Sequence, residues 1–330
     1  MTDPSIDNLS VIIPSNHDHS DLLKIVMAVC CQTVKPSEIV IVDSFVDKAF
    51  CPIEIADLCS FYGIELFYEH RKLAFPGQAR NIGLSLAKQK LVAFIDVQTI
   101  PRPDWIAASL KVLLKNDVAG VFGSTNFNAE TWFERLIRDA FFGILPRKTL
   151  PGSIFKRDIF TKAGHFIDWV RAGEDTEWML RLELLKIPVV SLPEALVDYV
   201  GLIGMTINSI LIKWNRNYSA SHALPHLFPQ KMFLWIFLYP LIIFVAFNWN
   251  YLFANWYEDS PFYIAHITKM AAAFPIFAYM IARGILLPLR RGVGLSQLFP
   301  IRFLKIAGIC FMADAVKAYV FTLPKGKHKG

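Results

Sequence analysis

Between residues 9 and 200, short β-branched runs alternate with amphipathic stretches. Leu9-Ser10-Val11-Ile12-Ile13, Glu38-Ile39-Val40-Ile41-Val42 and Leu91-Val92-Ala93-Phe94-Ile95 have the length and branching of buried strands. At about residues 20–32 and 78–89 the apolar positions instead recur at helical spacing. Strand–helix–strand alternation with near-continuous apolar strands predicts an α/β fold, its mostly parallel sheet covered on both faces. Ligands of such sheets bind beyond the carboxyl ends of the strands. Chemistry is therefore expected at 14–18, 43–47 and 96–99. A further helix is predicted from Thr176 to Lys186.

At Met232 the pattern changes. Residues 232–247 (MFLWIFLYPLIIFVAF) carry no charge, and apolar character continues through Trp249 and Tyr251 to Trp256. At 1.5 Å per residue this run can span a bilayer core, with Trp and Tyr as interface anchors. A second apolar run, about 262–282, contains Lys269 alone among charged residues. The alternative for either run is a buried core helix. The loop between them holds Glu258 and Asp259, whereas Lys213, Arg216 and Lys231 precede the pair and Arg283, Arg290 and Arg291 follow it. The positive-inside rule then predicts a hairpin with both ends cytoplasmic. In 301–321, Arg302, Lys305, Asp314 and Lys317 fall on one half of a helical wheel, which suits an interfacial amphipathic helix or else a third span. The organisation expected is a catalytic domain at 1–205, a basic-aromatic juxtamembrane linker at 206–231, a transmembrane hairpin at 232–282, and a basic interfacial helix and tail at 283–330.

Composition agrees with a membrane portion: 54% of the 330 residues are hydrophobic and only 19% are charged, against roughly a quarter in ordinary soluble domains. The net charge is +6. From Arg283 onward nine Lys and Arg face Asp314 alone, a local +8, which leaves residues 1–282 at −2. The basicity is thus terminal, which disfavours a nucleic-acid binder and suits anionic lipid. Five cysteines without a C-x-x-C pair argue against a disulfide framework or a zinc site and fit a reducing compartment. The polar N-terminus lacks a signal-peptide pattern. A cytosolic catalytic domain and C-terminus on the cytoplasmic membrane are expected.

Two acidic clusters stand out. Asp96 follows a buried strand, with the Gln98 carboxamide two residues on; two oxygen side chains at that spacing can face one hard cation, or Asp96 can simply cap the turn before Pro101. Gly173-Glu174-Asp175-Thr176-Glu177 opens a helix, where negative charge is favoured by the dipole. It is either an ordinary acidic helix start or the source of a general base, for which Asp175 would have to reach an acceptor hydroxyl while ionised.

In order along the chain, Ser10-Val11-Ile12-Ile13-Pro14, Ile41-Val42-Asp43, Ala79-Arg80-Asn81-Ile82-Gly83, Phe94-Ile95-Asp96, Pro101-Arg102-Pro103-Asp104-Trp105 and Gly173-Glu174-Asp175 resemble the family 2 glycosyltransferases of GT-A fold. The resemblance covers about residues 9–200, and the C-terminal hairpin looks like the membrane-attached members that build bacterial surface polysaccharides on a polyprenyl lipid. It implies a nucleotide-base site at Pro14, Ser15 and Asp43, the last otherwise a turn cap. It implies a diphosphate contact at Arg80, otherwise a surface arginine on an amphipathic helix whose N-terminus, at Gly77, would also attract an anion. Asp96 matches the first acid of the family's Asp-x-Asp motif, but Gln98 replaces the second, which puts the Mg²⁺ or Mn²⁺ cofactor in doubt. Where the family often has a metal-binding His, Val197-Asp198-Tyr199 stands: either Asp198 substitutes or the site differs there. Asp175 matches the catalytic base, with Glu174 as its support, which implies inversion. Lys213 and Arg216, three apart on one helical face, suit a donor or lipid diphosphate, or are ordinary flanking charge.

The function these features imply is inverting transfer of a sugar from a nucleotide-sugar donor to a polyprenyl-diphosphate-linked saccharide at the cytosolic membrane face. Transfer to a polyprenyl phosphate itself is the close alternative. A non-catalytic scaffold subunit is the alternative of another class, supported by Gln98 and opposed by the retained acids. No G-x-G-x-x-G follows the first strand, which disfavours a nicotinamide oxidoreductase.

Overall fold

A computed structural model of the chain describes residues 8–16, 19–45, 50–224 and 230–322, with the backbone alone for 221–223 and 230–240. The basic tail from Lys325 to Lys329, the Lys231 side chain and parts of two expected ligand loops (17–18 and 46–47) lie outside these residues. The strands are β1 (Leu9–Ser15), β2 (Glu38–Asp43), β3 (Glu65–His70), β4 (Leu91–Phe94), β5 (Thr99–Pro101), β6 (Gly120–Phe127), β7 (Arg147–Lys156), β8 (Val189–Ser191) and β9 (Val197–Tyr199). They form one nine-stranded sheet in the order β3-β2-β1-β4-β7-β6-β9-β5, with β8 beside β6. Parallel pairings (β1–β2, β1–β4, β2–β3, β6–β8, β6–β9) outnumber the antiparallel ones (β4–β7, β6–β7, β5–β9).

Seven helices belong to this sheet region: α1 (His19–Cys30), α2 (Ile53–Phe61), α3 (Pro76–Leu86), α4 (Trp105–Lys115), α5 (Trp132–Phe141), α6 (Ile159–Ala163) and α7 (Glu174–Leu184). The period-2 alternation of a strand divides the core between two faces. Leu9, Val11 and Ile13 pack with Ile25 and Val29 of α1, Ile55 of α2 and Leu110 of α4. Ile12, Val40 and Phe94, in register with one another, pack with Leu84 of α3 and Trp178 and Leu182 of α7. Because both faces are covered, the three strands read as continuous apolar runs.

Beyond the sheet lie α8 (Ile207–Ala223), α9 (Gln230–Ala254) and α10 (Ile267–Ile281). A π-helical turn, Ala282–Leu286, carries α10 into α11 (Leu287–Arg290), followed by α12 (Leu295–Leu298) and α13 (Arg302–Thr322). Among the described residues one helix, Ile267–Arg290, is long and apolar enough to cross a membrane. It starts five residues after the expected Phe262 and runs eight beyond Ala282. Asn250 of α9 instead holds Ile264 in a turn through bonds of 3.0 and 2.9 Å to its backbone N–H and carbonyl.

The third hydrophobic cluster joins Leu136, Ile137 and Ala140 of α5, Ile210 and Trp214 of α8, Leu298, and Ile306, Ile309, Cys310 and Ala313 of α13. Segments expected to be a catalytic domain, a linker and an interfacial helix therefore share one core. The charges on α13 are half-buried against other elements, except the exposed Lys305. Arg302 pairs at 2.5 Å with the fully buried Asp139, which Arg138 also contacts at 3.0 Å. Asp314 takes Arg283 and, at 2.8 Å, the Tyr279 hydroxyl, and Lys305 and Lys317 lie over the Trp132 and Tyr218 rings. Apart from Lys305, what α13 exposes is largely apolar, including Leu304, Phe311 and Tyr319.

Candidate active site

The carboxyl ends of β1 and β4, the N-termini of α3 and α7, the end of β9 and the side of α8 enclose a cavity of about 930 Å³. Pro14, Ser15, Arg80, Asp96, Gln98, Glu174, Asp175, Lys213 and Arg216 all line it. Asp43 does not. Its buried carboxylate accepts from Tyr68 Oη at 2.7 Å and from the backbone N–H of Phe45 at 3.1 Å, the turn-closing use of an aspartate. Burial and this contact push the Tyr68 phenol up. Ser44, next in sequence, lines the cavity and donates to the Ser15 carbonyl at 2.9 Å.

Arg80 is the hub of the acidic side. It is 3% exposed, with Nη1 donating to Glu174 Oε1 at 2.5 Å and Nη2 to Asp96 Oδ1 at 3.0 Å. It is not a surface arginine: two of its guanidinium nitrogens are bonded to carboxylates while the residue lines the cavity. Burial alone would lower its pKa, but Asp96, Glu174 and Asp175 together raise it. Burial pushes the Glu174 carboxyl up; Arg80 opposes that shift and Asp175 adds to it. Glu174 Oε2 and Arg80 Nε are buried without a hydrogen-bond partner.

Local structure explains how these groups meet across 94 residues. Asp96 leaves β4 in a turn closed by its own carbonyl, which accepts from Thr99 N–H at 3.0 Å and Thr99 Oγ1 at 2.5 Å. The side chain is thereby left for Arg80 and does not cap the turn. Gly77 is inside α3, and a Cβ there would stand 2.0 Å from the Ile167 carbonyl oxygen. The glycine serves close packing of α3 on the segment leading to α7. That helix begins at Glu174, two residues before the predicted start, because Gly173 at φ 88° supplies the left-handed residue before it. Glu174 and Asp175 thus occupy its first turn. Asp175 is half-buried, and its Oδ1 accepts from Thr176 N–H at 2.6 Å and Thr176 Oγ1 at 3.2 Å.

The other side is cationic. Lys213 Nζ donates to Tyr199 Oη at 3.1 Å, and Tyr199 Oη donates to Gln98 Oε1 at 3.1 Å. Burial, then Arg216, pull the Lys213 ammonium down to about 8. Burial, then Asp96, push the Tyr199 phenol up to about 12. Burial and then Arg171 lower Arg216. Tyr199, Gly201 and Arg171 also line the cavity and were not anticipated. The available signals were a hydroxyl-bearing aromatic and a glycine closing a short strand, and an arginine two residues before Gly173. Asp198 does not line the cavity; strand alternation presents Tyr199 there instead.

For a divalent cation the donor set is poor. Of the expected pair, the Gln98 oxygen accepts from Tyr199 and one Asp96 oxygen accepts from Arg80. Among the described residues no three His, Cys, Asp or Glu side chains are grouped as metal ligands. Hard cations take six or more oxygens, preferably charged ones, and these residues do not fit a protein-held Mg²⁺ or Mn²⁺.

The fold is that of the GT-A glycosyltransferases. Residues 10–172 match the family model for Glycosyl transferase family 2. The match ends just before Gly173-Glu174-Asp175. Over 108 residues, 32% of this chain, the sequence is 30% identical to the pre-mycofactocin glycosyltransferase of Mycobacterium tuberculosis (strain CDC 1551 / Oshkosh). The matched stretch spans 21% of that relative's length. Among solved structures the chain is similar to the mannosyltransferase PcManGT from Pyrobaculum calidifontis in complex with GDP-Man and Mn²⁺, with TM-score 0.53 and 16% identity over 96% of this chain and 89% of that one. S. aureus TarS 1-349 in complex with UDP-GlcNAc gives TM-score 0.48 and 13% identity over 95% and 89% of the two chains.

Proposed function

We propose that the chain is an inverting, membrane-associated glycosyltransferase that moves a sugar from a nucleotide-sugar donor to a lipid-linked acceptor, a polyprenyl-diphosphate saccharide. The observation that carries this reading is one cavity holding carboxylates and cations together, at the ligand-binding edge of the region that matches the family 2 model. The nucleotide lies against Pro14, Ser15 and Ser44. Asp175 takes the proton of the acceptor hydroxyl as that oxygen attacks the anomeric carbon from the face opposite the departing diphosphate. Arg80 and Glu174 hold the acidic edge in place, and Lys213 and Arg216 meet phosphate.

The acceptor class is supported by the cavity's far wall. Ile203 and Ile212 line it beside Arg171 and Arg216, and both isoleucines are substantially exposed. Apolar surface next to guanidinium groups suits a lipid that carries phosphate at its headgroup. The Ile267–Arg290 helix would keep the enzyme where such acceptors concentrate.

Membranes containing the protein, offered sugar nucleotides and polyprenyl-linked acceptors, should release nucleoside diphosphate in step with lipid glycosylation. Asp175→Asn should abolish transfer while donor binding changes by less than about twofold, because a general base acts on the acceptor. Full activity in Asp175→Asn would remove the base assignment. A polyprenyl-monophosphate sugar as sole product would replace the diphosphate-linked acceptor with the monophosphate one.

A further inference from the structure

The Lys213–Tyr199–Gln98 chain is drawn from three separate segments: a loop after β4, the end of β9 and the middle of α8. Its direction is forced. An ammonium has protons and no lone pair, so Lys213 donates and the Tyr199 oxygen accepts. The single phenolic proton then needs an acceptor, and the Gln98 carbonyl oxygen provides it at 3.1 Å. Were the amide reversed, Tyr199 would face two donors with its own proton unplaced. One of the three ammonium protons is used, and two are left for a ligand in the cavity that Lys213 lines.

Gly201 shows that the chain is built in. A Cβ at this position would stand 2.4 Å from Tyr199 Oη and 2.5 Å from Gln98 Oε1. Glycine leaves room for the phenol and the amide to meet. The choice of Gln over an acid also acquires a reason. A carboxylate at 98 would neutralise the nearby ammonium through Tyr199. A carboxamide holds the phenol and leaves the positive charge for substrate.

We propose that Lys213, fixed through Tyr199 to Gln98, takes the place of a divalent cation in this site, so that donor binding and sugar transfer need no metal. The inference rests on the nucleotide-sugar reading above. In the transfer step the bond between the anomeric carbon and the diphosphate oxygen breaks, and its electron pair stays on that oxygen. The acceptor oxygen bonds to the anomeric carbon, and its proton passes to Asp175. Charge grows on the diphosphate as this happens, and the two remaining ammonium protons, with Arg216 one helical turn along α8, stabilise it. Burial beside Arg216 is costly for an ammonium, and a diphosphate bound there would relieve that cost.

The test is calorimetric binding of UDP and GDP to the full-length protein in EDTA and in MnCl₂, with turnover measured in both buffers. Whichever nucleotide binds should do so with affinities within about twofold in the two buffers. Lys213→Ala should weaken it by at least about tenfold, the size of one charge-assisted hydrogen bond, and Lys213→Arg should recover most of the loss. Tyr199→Phe, which keeps the ring and deletes the relay hydroxyl, should weaken binding with little change in melting temperature, separating the relay from the fold. Binding or turnover lost in EDTA and restored by Mn²⁺ overturns the proposal, as does unchanged affinity in Lys213→Ala. If neither nucleotide binds in either buffer, the donor reading itself fails and this inference falls with it.

Discussion

Lys213 offers a handle that separates what the site costs the fold from what it does for the ligand. Its ammonium ordinarily titrates near 10.5 and in the folded protein near 8, with burial first and Arg216 second as causes. Above pH 8 the unfolded chain binds the extra proton more tightly than the folded one, so this residue's contribution to stability rises as pH climbs from about 8 toward 10.5. Diphosphate binding has the opposite sign, because it needs the ammonium. Facing Lys213 are Tyr199 and, on its own helix, Arg216, and Asp96, Glu174, Asp175 and Arg171 line the same cavity. The expected outcome is that wild type gains thermal stability relative to Lys213→Met between pH 7.5 and 9.5, while its nucleotide affinity falls over the same interval. Parallel pH profiles for the two proteins would remove Lys213 as the titrating group.

Arg80 differs in kind, since its burial leaves no room for an unpaired partner. Arg80→Met strands Glu174, 4% exposed, without its cation. Removing one member of a buried pair typically costs about 3–5 kcal/mol. Urea unfolding should show a loss of that order. A loss under about 1 kcal/mol, the size of an exposed pair, would mean that Glu174 is held by something else. The cavity-lining acids can be found in the sequence because Asp96 follows a strand and Glu174 and Asp175 open a helix; Arg80, Lys213 and Arg216 lie within helices, where only the family resemblance and their spacing single them out. The Arg80–Glu174 pair and the Lys213–Tyr199–Gln98 relay cannot be found there: they depend on register between segments 94 and 101 residues apart, and a polar residue's partner leaves no trace in its own neighbourhood. The partner of Asp43 is hidden in the same way: its position after β2 is legible, whereas the Tyr68 hydroxyl that donates to its carboxylate comes from the adjacent strand.

Among the elements, α3 and the loop before β9's successor helix each turn on one glycine, and the two make contrasting predictions. At Gly77 an added methyl meets backbone, the Ile167 carbonyl oxygen at 2.0 Å, and it would also crowd the Glu174 side chain at 3.2 Å. Backbone on both sides leaves no side-chain rotation to absorb the clash, so Gly77→Ala should lower both melting temperature and turnover. At Gly201 the methyl meets the tips of Tyr199 and Gln98, which can swing aside. Gly201→Ala should therefore leave melting nearly unchanged and weaken nucleotide binding as Tyr199→Phe does. Equal thermal losses in the two variants would contradict this division. Three of the nine strands, β1, β2 and β4, were readable from sequence because burial on both faces leaves them almost wholly apolar. The orientation of α13 was not, because a wheel shows that charges cluster without saying whether water, lipid or another helix lies opposite them. Arg302 and Asp314 answer to Asp139 and Arg283, partners on α5 and in the π-helical turn.

For the whole molecule, the shared cluster of α5, α8 and α13 couples the C-terminal helices to the sheet region. The composition shifts at Met232, but the hydrophobic core does not divide there. Cutting after residue 231 would uncover Leu136, Ile137 and Ala140 on α5 and Ile210 and Trp214 on α8, all buried now. Each buried apolar side chain of this size contributes roughly 1.5–3 kcal/mol, so exposing several of them is comparable with the entire stability of a typical domain. Asp139 would also lose Arg302 and keep only Arg138. The fragment 1–231 is thus expected to be insoluble or to lack cooperative melting, and to bind neither UDP nor GDP. Arg302→Ala in the full chain should reproduce part of this as a lowered melting temperature with the donor site's affinity retained, because Asp139 does not line the cavity. A soluble 1–231 fragment that melts cooperatively and binds nucleotide like the full chain would show that the helices beyond α8 serve attachment alone, and that the sheet with α8 is a complete folding unit.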